Sequence, residues 1–178
     1  MANIEELKTK VHNYFKGNYI QIELDNNSII NVYNCMFHNV IVDDNNDMTY
    51  LYYGRYYEEQ KDYDTMTKYY LMSIERNNIN AMRSMGLYYD RKKDYDNMMK
   101  YYLMGIDNND SYSMNNLGVY YYERKDYDNM MKYYLMAIAK ENGHAMYNLG
   151  LYYENCGDYN NMIKYYLIAV NHNHFKAC

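Results

Sequence analysis

The sequence predicts an all-α superhelix, or solenoid, built from repeated helix–turn–helix units, and three observations carry this prediction. Glycines recur at a constant step of 32 residues, at Gly54, Gly86, Gly118 and Gly150. An aspartate followed by tyrosine keeps the same step, at Asp62, Asp94, Asp126 and Asp158. The stretch DYDNMMKYYLM occurs at 94–104 and again, unchanged, at 126–136. Self-similarity at a fixed period is the sequence signature of repeat architectures.

The first 48 residues depart from this pattern and are predicted to form a divergent helical cap, since the ends of a solenoid need a different outer face. Apolar residues at helical spacing predict one amphipathic helix there, through Ile4, Leu7, Val11, Tyr14 and Phe15. Residues 29–43 align with the second helix of a decayed unit. The alternating stretch 19–24 leaves a strand as the alternative.

Four units follow, at 49–80, 81–112, 113–144 and 145–176, with the start of a fifth at the end of the sequence. First helices are expected near 48–60, 80–92, 112–124 and 144–156. Second helices are expected near 63–76, 95–108, 127–140 and 159–172. The repeated aspartates have N-cap chemistry for the second helices. Asparagines such as Asn77 and Asn109 suit the turns between units, because Asn tolerates left-handed backbone.

The repeated glycine lies inside the first helix, where it costs about 1 kcal/mol relative to alanine. Its recurrence predicts close approach of a neighbouring second helix. The second helices carry small residues at one fixed place, and these are predicted to form the facing surface: Ser73, Gly105, Ala137 and Ala169. On the polar face of these helices, aspartate and lysine at i, i+4 predict ion pairs. The pairs are Asp64–Lys68, Asp96–Lys100 and Asp128–Lys132.

Composition narrows the classes of function. The formal net charge is -5 and no run of basic residues occurs, which disfavours binding to a phosphate backbone. No apolar run is long enough to span a membrane, and the first residues lack the apolar core of a signal peptide. Three cysteines without CxxC spacing indicate a reducing compartment, so a cytoplasmic protein is expected. The 29 tyrosines suit a thin structure, because each hydroxyl needs a partner or water.

The segment AMYNLGLYYENCGDYNNMIKYY at 145–166 resembles a tetratricopeptide unit through Leu149-Gly150, Tyr153 and Gly157-Asp158-Tyr159. The stretch AIAKENGHAMYNLG at 137–150 resembles the related Sel-1-like repeat. The tyrosine- and asparagine-rich style resembles Sel-1-like proteins encoded by giant DNA viruses of amoebae, which would imply host cytoplasm. Two departures stand out. The chain lacks the Gly-rich insertion usual in Sel-1-like units, and it has methionine where both families usually place alanine early in the second helix.

The resemblance implies a protein-interaction scaffold whose first helices line a concave surface. The residues expected there change in every unit, as a groove for one irregular ligand would require. Arg83, Tyr112, Asn115 and Tyr147 are the main candidates for recognition of a protein or peptide, and the supporting candidates are Asn80, Tyr122, His144 and Glu154. An RNA-binding array, which would use exposed tyrosines for stacking, is the alternative.

Catalytic and metal chemistry find little support in the sequence, so no enzyme, cofactor or metal site is predicted. His172, His174 and Cys178 lack a fourth ligand for a structural metal. Cys156 lacks an evident histidine base. The row of aspartates is periodic, which indicates capping rather than acid–base catalysis.

The end of the sequence carries a separate expectation. The second helix of the last unit should expose an apolar face, including Met162, Tyr166 and Val170, that would find another chain or further residues of a longer protein. Self-association at this end is therefore expected.

Overall fold

The computed structural model describes residues 47–171, which contain eight α-helices and no strand. The helices are α1 (Asp47–Glu59), α2 (Tyr63–Ile74), α3 (Ile79–Lys92), α4 (Tyr95–Asp107), α5 (Ser111–Glu123), α6 (Tyr127–Ile138), α7 (Gly143–Asn155) and α8 (Tyr159–Asn171). The all-α prediction is confirmed for this range, and every helix boundary lies within two residues of its predicted position. The expected N-terminal cap, its alternative strand and the start of a fifth unit lie outside the described residues.

The helices pair within each unit and then pair with the next unit. A turn of two or three residues joins the two helices of a unit, so the helices run antiparallel and pack side by side. Each second helix also packs against the first helix of the following unit, and successive first helices contact one another. The core between them holds fully buried methionines at the place where alanine was the expected family residue, namely Met66, Met98 and Met130. Methionine is long and adaptable enough to fill such a site.

The repeated aspartate caps the second helix of every unit, as predicted. The Asp126 carboxylate accepts a hydrogen bond from the backbone N–H of Asn129 at 3.1 Å, and a second from its side-chain amide at 2.8 Å. The side-chain donor, followed by the backbone donor, lowers the pKa of Asp126. Asp62, Asp94 and Asp158 make the equivalent backbone hydrogen bond.

The turns within the units contain left-handed lysines that the sequence does not predict. Lys61, Lys93 and Lys125 have φ between 58° and 61°, and the fourth unit has Gly157 at the same place. In the turns between units, Asn77 and Asn109 are left-handed as expected. A left-handed conformation is costly for any residue that carries a Cβ, so the capped helices on both sides must hold the lysines in place.

The recurring glycine makes room for a tyrosine of its own unit. A Cβ on Gly54, Gly86, Gly118 or Gly150 would lie 2.3 to 2.5 Å from the ring of a tyrosine in the second helix. These tyrosines are Tyr70, Tyr102, Tyr134 and Tyr166. The close approach predicted from the sequence therefore exists, but its partner is this ring.

The small residues of the second helices have a different neighbour. A Cβ on Gly105 would lie 2.6 Å from Oγ of Ser113, at the start of the next unit's first helix. Ser73, Ala137 and Ala169 occupy the same register and are fully buried. The prediction that these small residues face the glycines was wrong, because Gly105 meets Ser113 of the following unit and each repeated glycine meets a tyrosine ring.

Stacked tyrosines join the two helices of each unit. Their ring centroids lie 5.5 to 5.6 Å apart in Tyr57–Tyr69, Tyr89–Tyr101, Tyr121–Tyr133 and Tyr153–Tyr165. The lysine before the second tyrosine lies over that ring, as Lys100 does over Tyr101 at 5.2 Å. The predicted aspartate–lysine ion pairs do not form among residues 47–171. An exposed pair contributes little, and the ring offers the ammonium an alternative contact.

Candidate partner-binding surface

The first helices α3, α5 and α7 place their variable residues in register, one unit after the next. Three rows run across these helices: Asn80, Tyr112 and His144; Arg83, Asn115 and Tyr147; and Asp90, Tyr122 and Glu154. A fourth row is apolar, with Leu87 and Leu151 exposed and Val119 half-buried. We call these rows together the first-helix surface. It contains all eight residues predicted from the sequence to contact a partner.

Arg83 is bound within the chain. Its guanidinium donates to Oδ1 of Asp110 at 3.0 Å and to the side-chain oxygen of Asn80. It also lies over the ring of Tyr112, 4.7 Å from the centroid. The Asp110 side chain is only 6% exposed and caps α5 by accepting from the backbone N–H of Ser113. Arg83 therefore connects two units and packs against the face of the Tyr112 ring.

Asn115 is also occupied and is nearly buried. Its relative exposure is 8%, and its side-chain oxygen accepts a hydrogen bond from the amide of Asn148 at 3.0 Å. The sequence assigned Asn115 to hydrogen bonding with an extended peptide backbone. In the structure this asparagine links α5 to α7 and leaves little of its side chain for a partner.

Three aromatic side chains project from the same surface. Tyr112 is 46% exposed and lies 6.0 Å from the ring of His144, which is itself exposed. Tyr147 is 40% exposed and stacks on Tyr166, with 5.6 Å between ring centroids. Large rings held in place by neighbours offer contact area at a low entropic cost, which suits them to recognition.

The far edge of the surface combines a tyrosine with carboxylates. The Tyr122 hydroxyl accepts a hydrogen bond from the Asn155 amide at 3.2 Å. Exposed Glu154 accepts from the Tyr166 hydroxyl at 2.8 Å. Burial and then this hydrogen bond raise the pKa of Tyr166 to about 12. On the same edge, Arg91 donates to Glu58 of the preceding first helix.

Sequence reasoning missed two further groups of exposed side chains. One is a cluster in which Tyr122 meets Tyr127 and Tyr152. The other is a row of second-helix leucines, which are 39 to 57% exposed at Leu71, Leu103, Leu135 and Leu167. The 32-residue register already aligned both groups, but the outward direction of a side chain becomes visible only once the helices are packed.

Comparison with known proteins supports the repeat architecture. The family model described as tetratricopeptide repeat matches residues 143–171. A crystal structure of MamA is similar over 98% of this chain and 96% of its own, with a TM-score of 0.59 and 18% identity. BtubC from P. vanneervenii is similar over 98% of this chain and 83% of its own, with a TM-score of 0.58 and 14% identity. A search of curated proteins found no match. The fold is tetratricopeptide-like.

Among residues 47–171, no group of three histidine, cysteine or carboxylate side chains could hold a metal ion. His172, His174 and Cys178 lie outside the described residues. Cys156 is an exposed free thiol. None of the helices in the described range is long and apolar enough to cross a membrane.

Proposed function

We propose that this protein is an interaction scaffold that binds a partner protein or peptide on a concave groove formed by the first-helix surface. One observation carries the proposal. The second helices repeat almost unchanged, whereas the first-helix surface has a different set of side chains in each unit. Packing repeats because the helices repeat, but a groove for one irregular ligand has no reason to repeat.

Under this proposal the eight candidate residues have two roles. Tyr112, Tyr147, His144 and Glu154 are exposed and contact the partner directly. Tyrosine is frequent among the residues that dominate binding energy. Arginine is also frequent among such residues. Arg83, however, is bonded to Asp110 and Asn80, and these bonds make it a positioning residue for Tyr112.

Asn80, Asn115 and Tyr122 complete the positioning set. Each is buried or half-buried, and each takes part in a hydrogen bond to another side chain. These bonds hold neighbouring first helices, or successive turns of one, in register. A groove that is ordered before binding loses less entropy on binding, which raises affinity.

The proposal extends to a finer family and a cellular setting. The stretch at 137–150 supports a Sel-1-like character, and the composition supports an origin in a giant DNA virus of amoebae. A non-enzymatic adaptor in the cytoplasm, the host cytoplasm in the viral case, fits these features.

RNA binding is the competing function, and the exposed tyrosines favour it because bases stack on such rings. The charge balance opposes it, since the chain carries 18 lysines and arginines against 23 aspartates and glutamates. RNA binding would weaken steeply as salt is raised. A gel-shift titration with single-stranded RNA at two salt concentrations distinguishes the two functions.

The experiment that tests the scaffold is an affinity pull-down from the native cell with a triple variant, Tyr112→Ala, His144→Ala and Tyr147→Ala. The matched control replaces the exposed leucines Leu71, Leu103 and Leu135 by alanine. Circular dichroism establishes that both variants remain helical. The proposal requires the partner to be lost with the first variant and retained with the second; the reverse pattern would move the binding surface to the second helices.

A further inference from the structure

Tyrosine pairs mark the three junctions between units within residues 47–171. A tyrosine at the start of α2, α4 or α6 contacts a tyrosine of the first helix that follows it. The ring centroids are 5.5 Å apart for Tyr63–Tyr88, 5.4 Å for Tyr95–Tyr120 and 5.3 Å for Tyr127–Tyr152. The three junctions therefore present the same pair of rings in the same register.

At the first two junctions the chain places its own cation over the rings. The Lys92 ammonium lies 4.7 Å from the Tyr63 centroid and 5.8 Å from that of Tyr88. Arg124, which is 32 residues further on, lies closer to its pair, at 4.2 Å from Tyr95 and 3.6 Å from Tyr120. The faces of two tyrosine rings attract a cation, and arginine fits this particular place better.

The third junction has no such cation of its own. The residue in register with Lys92 and Arg124 is Cys156, an exposed free thiol. No lysine or arginine of residues 47–171 lies over the ring of Tyr127 or Tyr152. The third junction thus has the pair of tyrosine rings but lacks the lysine or arginine that lies over the rings at the first two junctions.

A third ring joins this junction. Tyr122 lies 6.4 Å from both Tyr127 and Tyr152, at interplanar angles of 53° and 89°. The residues in register with Tyr122 in the first two units are the acids Glu58 and Asp90. Tyr127 is 42% exposed, and the other two rings are half-exposed. Several rings at steep mutual angles can surround one cationic group, as in the aromatic cages that recognise ammonium ligands.

We propose that the cluster of Tyr122, Tyr127 and Tyr152 binds an arginine side chain supplied by the protein partner. The guanidinium would take the place over the rings that Arg124 fills at the preceding junction. This inference rests on the proposed scaffold function, because Tyr122 also belongs to the first-helix surface. It adds a contact of the Tyr122 ring with the partner to the positioning role of its hydroxyl, which is bonded to Asn155. It also adds that the partner carries an arginine at the point where it crosses the junction between the third and fourth units.

The first test is a titration of the full chain, labelled with nitrogen-15, with acetyl-arginine amide. Its neutral isostere acetyl-citrulline amide is the control ligand, and acetyl-lysine amide, with a free side-chain ammonium, tests the other natural cation. We expect amide shifts centred on Tyr127, Tyr152 and Cys156, with arginine bound about two- to fivefold more tightly than citrulline. Equal shifts with arginine and citrulline would overturn the proposal. A clear preference for lysine over arginine would overturn the choice of arginine.

The second test introduces an arginine of the chain itself over the rings of Tyr127 and Tyr152. Cys156→Arg restores the residue type of the preceding junction, so the arginine titration should lose its shifts at the cluster. Cys156→Ser keeps the position neutral and should behave as wild type. If Cys156→Arg titrates like wild type, the cluster is not the cation site.

A pull-down separates this inference from the function on which it rests. Cys156→Arg should recover less partner than Cys156→Ser. If Cys156→Arg and Cys156→Ser both recover the partner at wild-type strength while the Tyr112, His144 and Tyr147 variant loses it, that result would support the scaffold function and overturn the arginine site. If that triple variant also retains the partner, the proposed binding surface itself is wrong.

Discussion

The ring of Tyr134 lies against the backbone of Gly118, with its Cδ1 atom 2.4 Å from the place where a Cβ on that glycine would be. Tyr134 is only 2% exposed, so the ring has no open space into which it could move. The same contact recurs between first and second helices in all four units. It explains why a helix-destabilising residue is repeated in the middle of every first helix.

We therefore predict that Gly118→Ala destabilises the fold although alanine is the better helix former. Overpacking of this kind costs about 1–3 kcal/mol, which exceeds the gain of about 1 kcal/mol in helix propensity. Gly118→Val should cost several kcal/mol, since a branched side chain adds further clashes. Denaturant unfolding followed by circular dichroism measures both effects, and an unchanged midpoint for Gly118→Val would contradict the packing account.

A double-mutant cycle isolates the contact between Gly118 and Tyr134. Tyr134→Leu removes the ring that the new Cβ would strike, so Gly118→Ala should cost less in this background than in wild type. Residues in direct contact commonly show interaction energies of about 0.5–3 kcal/mol. Additive effects of the two changes would place the origin of the glycine elsewhere.

The buried tyrosine hydroxyls predict a loss of stability at high pH. Burial raises the pKa of Tyr70, Tyr102 and Tyr134 above that of an unfolded chain, and a hydrogen bond to Glu58 adds to the effect at Tyr70. Between the two pKa values the unfolded state loses protons first. The stabilisation is thus complete below about pH 10 and falls as pH rises towards the folded pKa.

The measurement is alkaline unfolding followed in parallel by circular dichroism and by tyrosinate absorbance. The buried set, Tyr70, Tyr102 and Tyr134, should ionise only together with loss of the helices. Tyr134→Phe should flatten the alkaline limb of the stability curve. Ionisation of every tyrosine in one transition before unfolding would show that these hydroxyls are not protected.

Adding a side chain at Gly118 should destabilise the fold, whereas replacing a left-handed lysine in a turn by glycine should stabilise it. Lys125 has φ 61°, and the fourth unit uses Gly157 at that place. Lys125→Gly relieves a left-handed strain of about 1–2 kcal/mol, but the higher entropy of the unfolded chain destabilises the fold by about 0.4–1 kcal/mol. We expect a net stabilisation of up to about 1.6 kcal/mol. Thermal unfolding measures it, with Lys132→Gly inside α6 as a control that should destabilise; a lower melting temperature for Lys125→Gly would refute the argument.

The last helix predicts self-association. Val170, Leu167 and Ile163 are 51 to 58% exposed on α8, and Met162 is half-buried where Met130 is fully buried. Uncovered apolar surface of this kind favours association. Light scattering should show a mass that rises with concentration in wild type and stays monomeric in Leu167→Asp with Val170→Asp. Leu103→Asp on α4 is the matched control, and a concentration-independent wild-type monomer would contradict the prediction.

Much of this fold was predictable because the same residue types recur at equivalent positions of all four units. A single aspartate before an apolar run is a weak signal, whereas the same aspartate at Asp62, Asp94, Asp126 and Asp158 fixes the start of every second helix. The period also fixed the helix boundaries to within two residues. Repetition thus averages out the ambiguity of local propensity.

What the period did not predict is the identity of the neighbour across each contact. In the sequence, both glycine and alanine indicate that two helices approach closely. Only the packed structure shows that Gly118 faces Tyr134, while Ala137 lies at the junction between units. The occupied state of Arg83 and Asn115 was equally hidden, because their partners Asp110 and Asn148 are 27 and 33 residues away. Variability identified a candidate surface, and it did not distinguish exposed residues from those already bound within it.

Site-specific photo-crosslinking identifies which helices contact the partner. A benzophenone amino acid replaces Tyr112 or Tyr147 on the first-helix surface, and Leu103 or Leu135 on the second helices serves as the control. After irradiation in the native cell, we expect one and the same partner to be captured from Tyr112 and from Tyr147, and from neither leucine position. Capture of that partner from the leucine positions alone would place the binding surface on the second helices and rule out the first-helix surface.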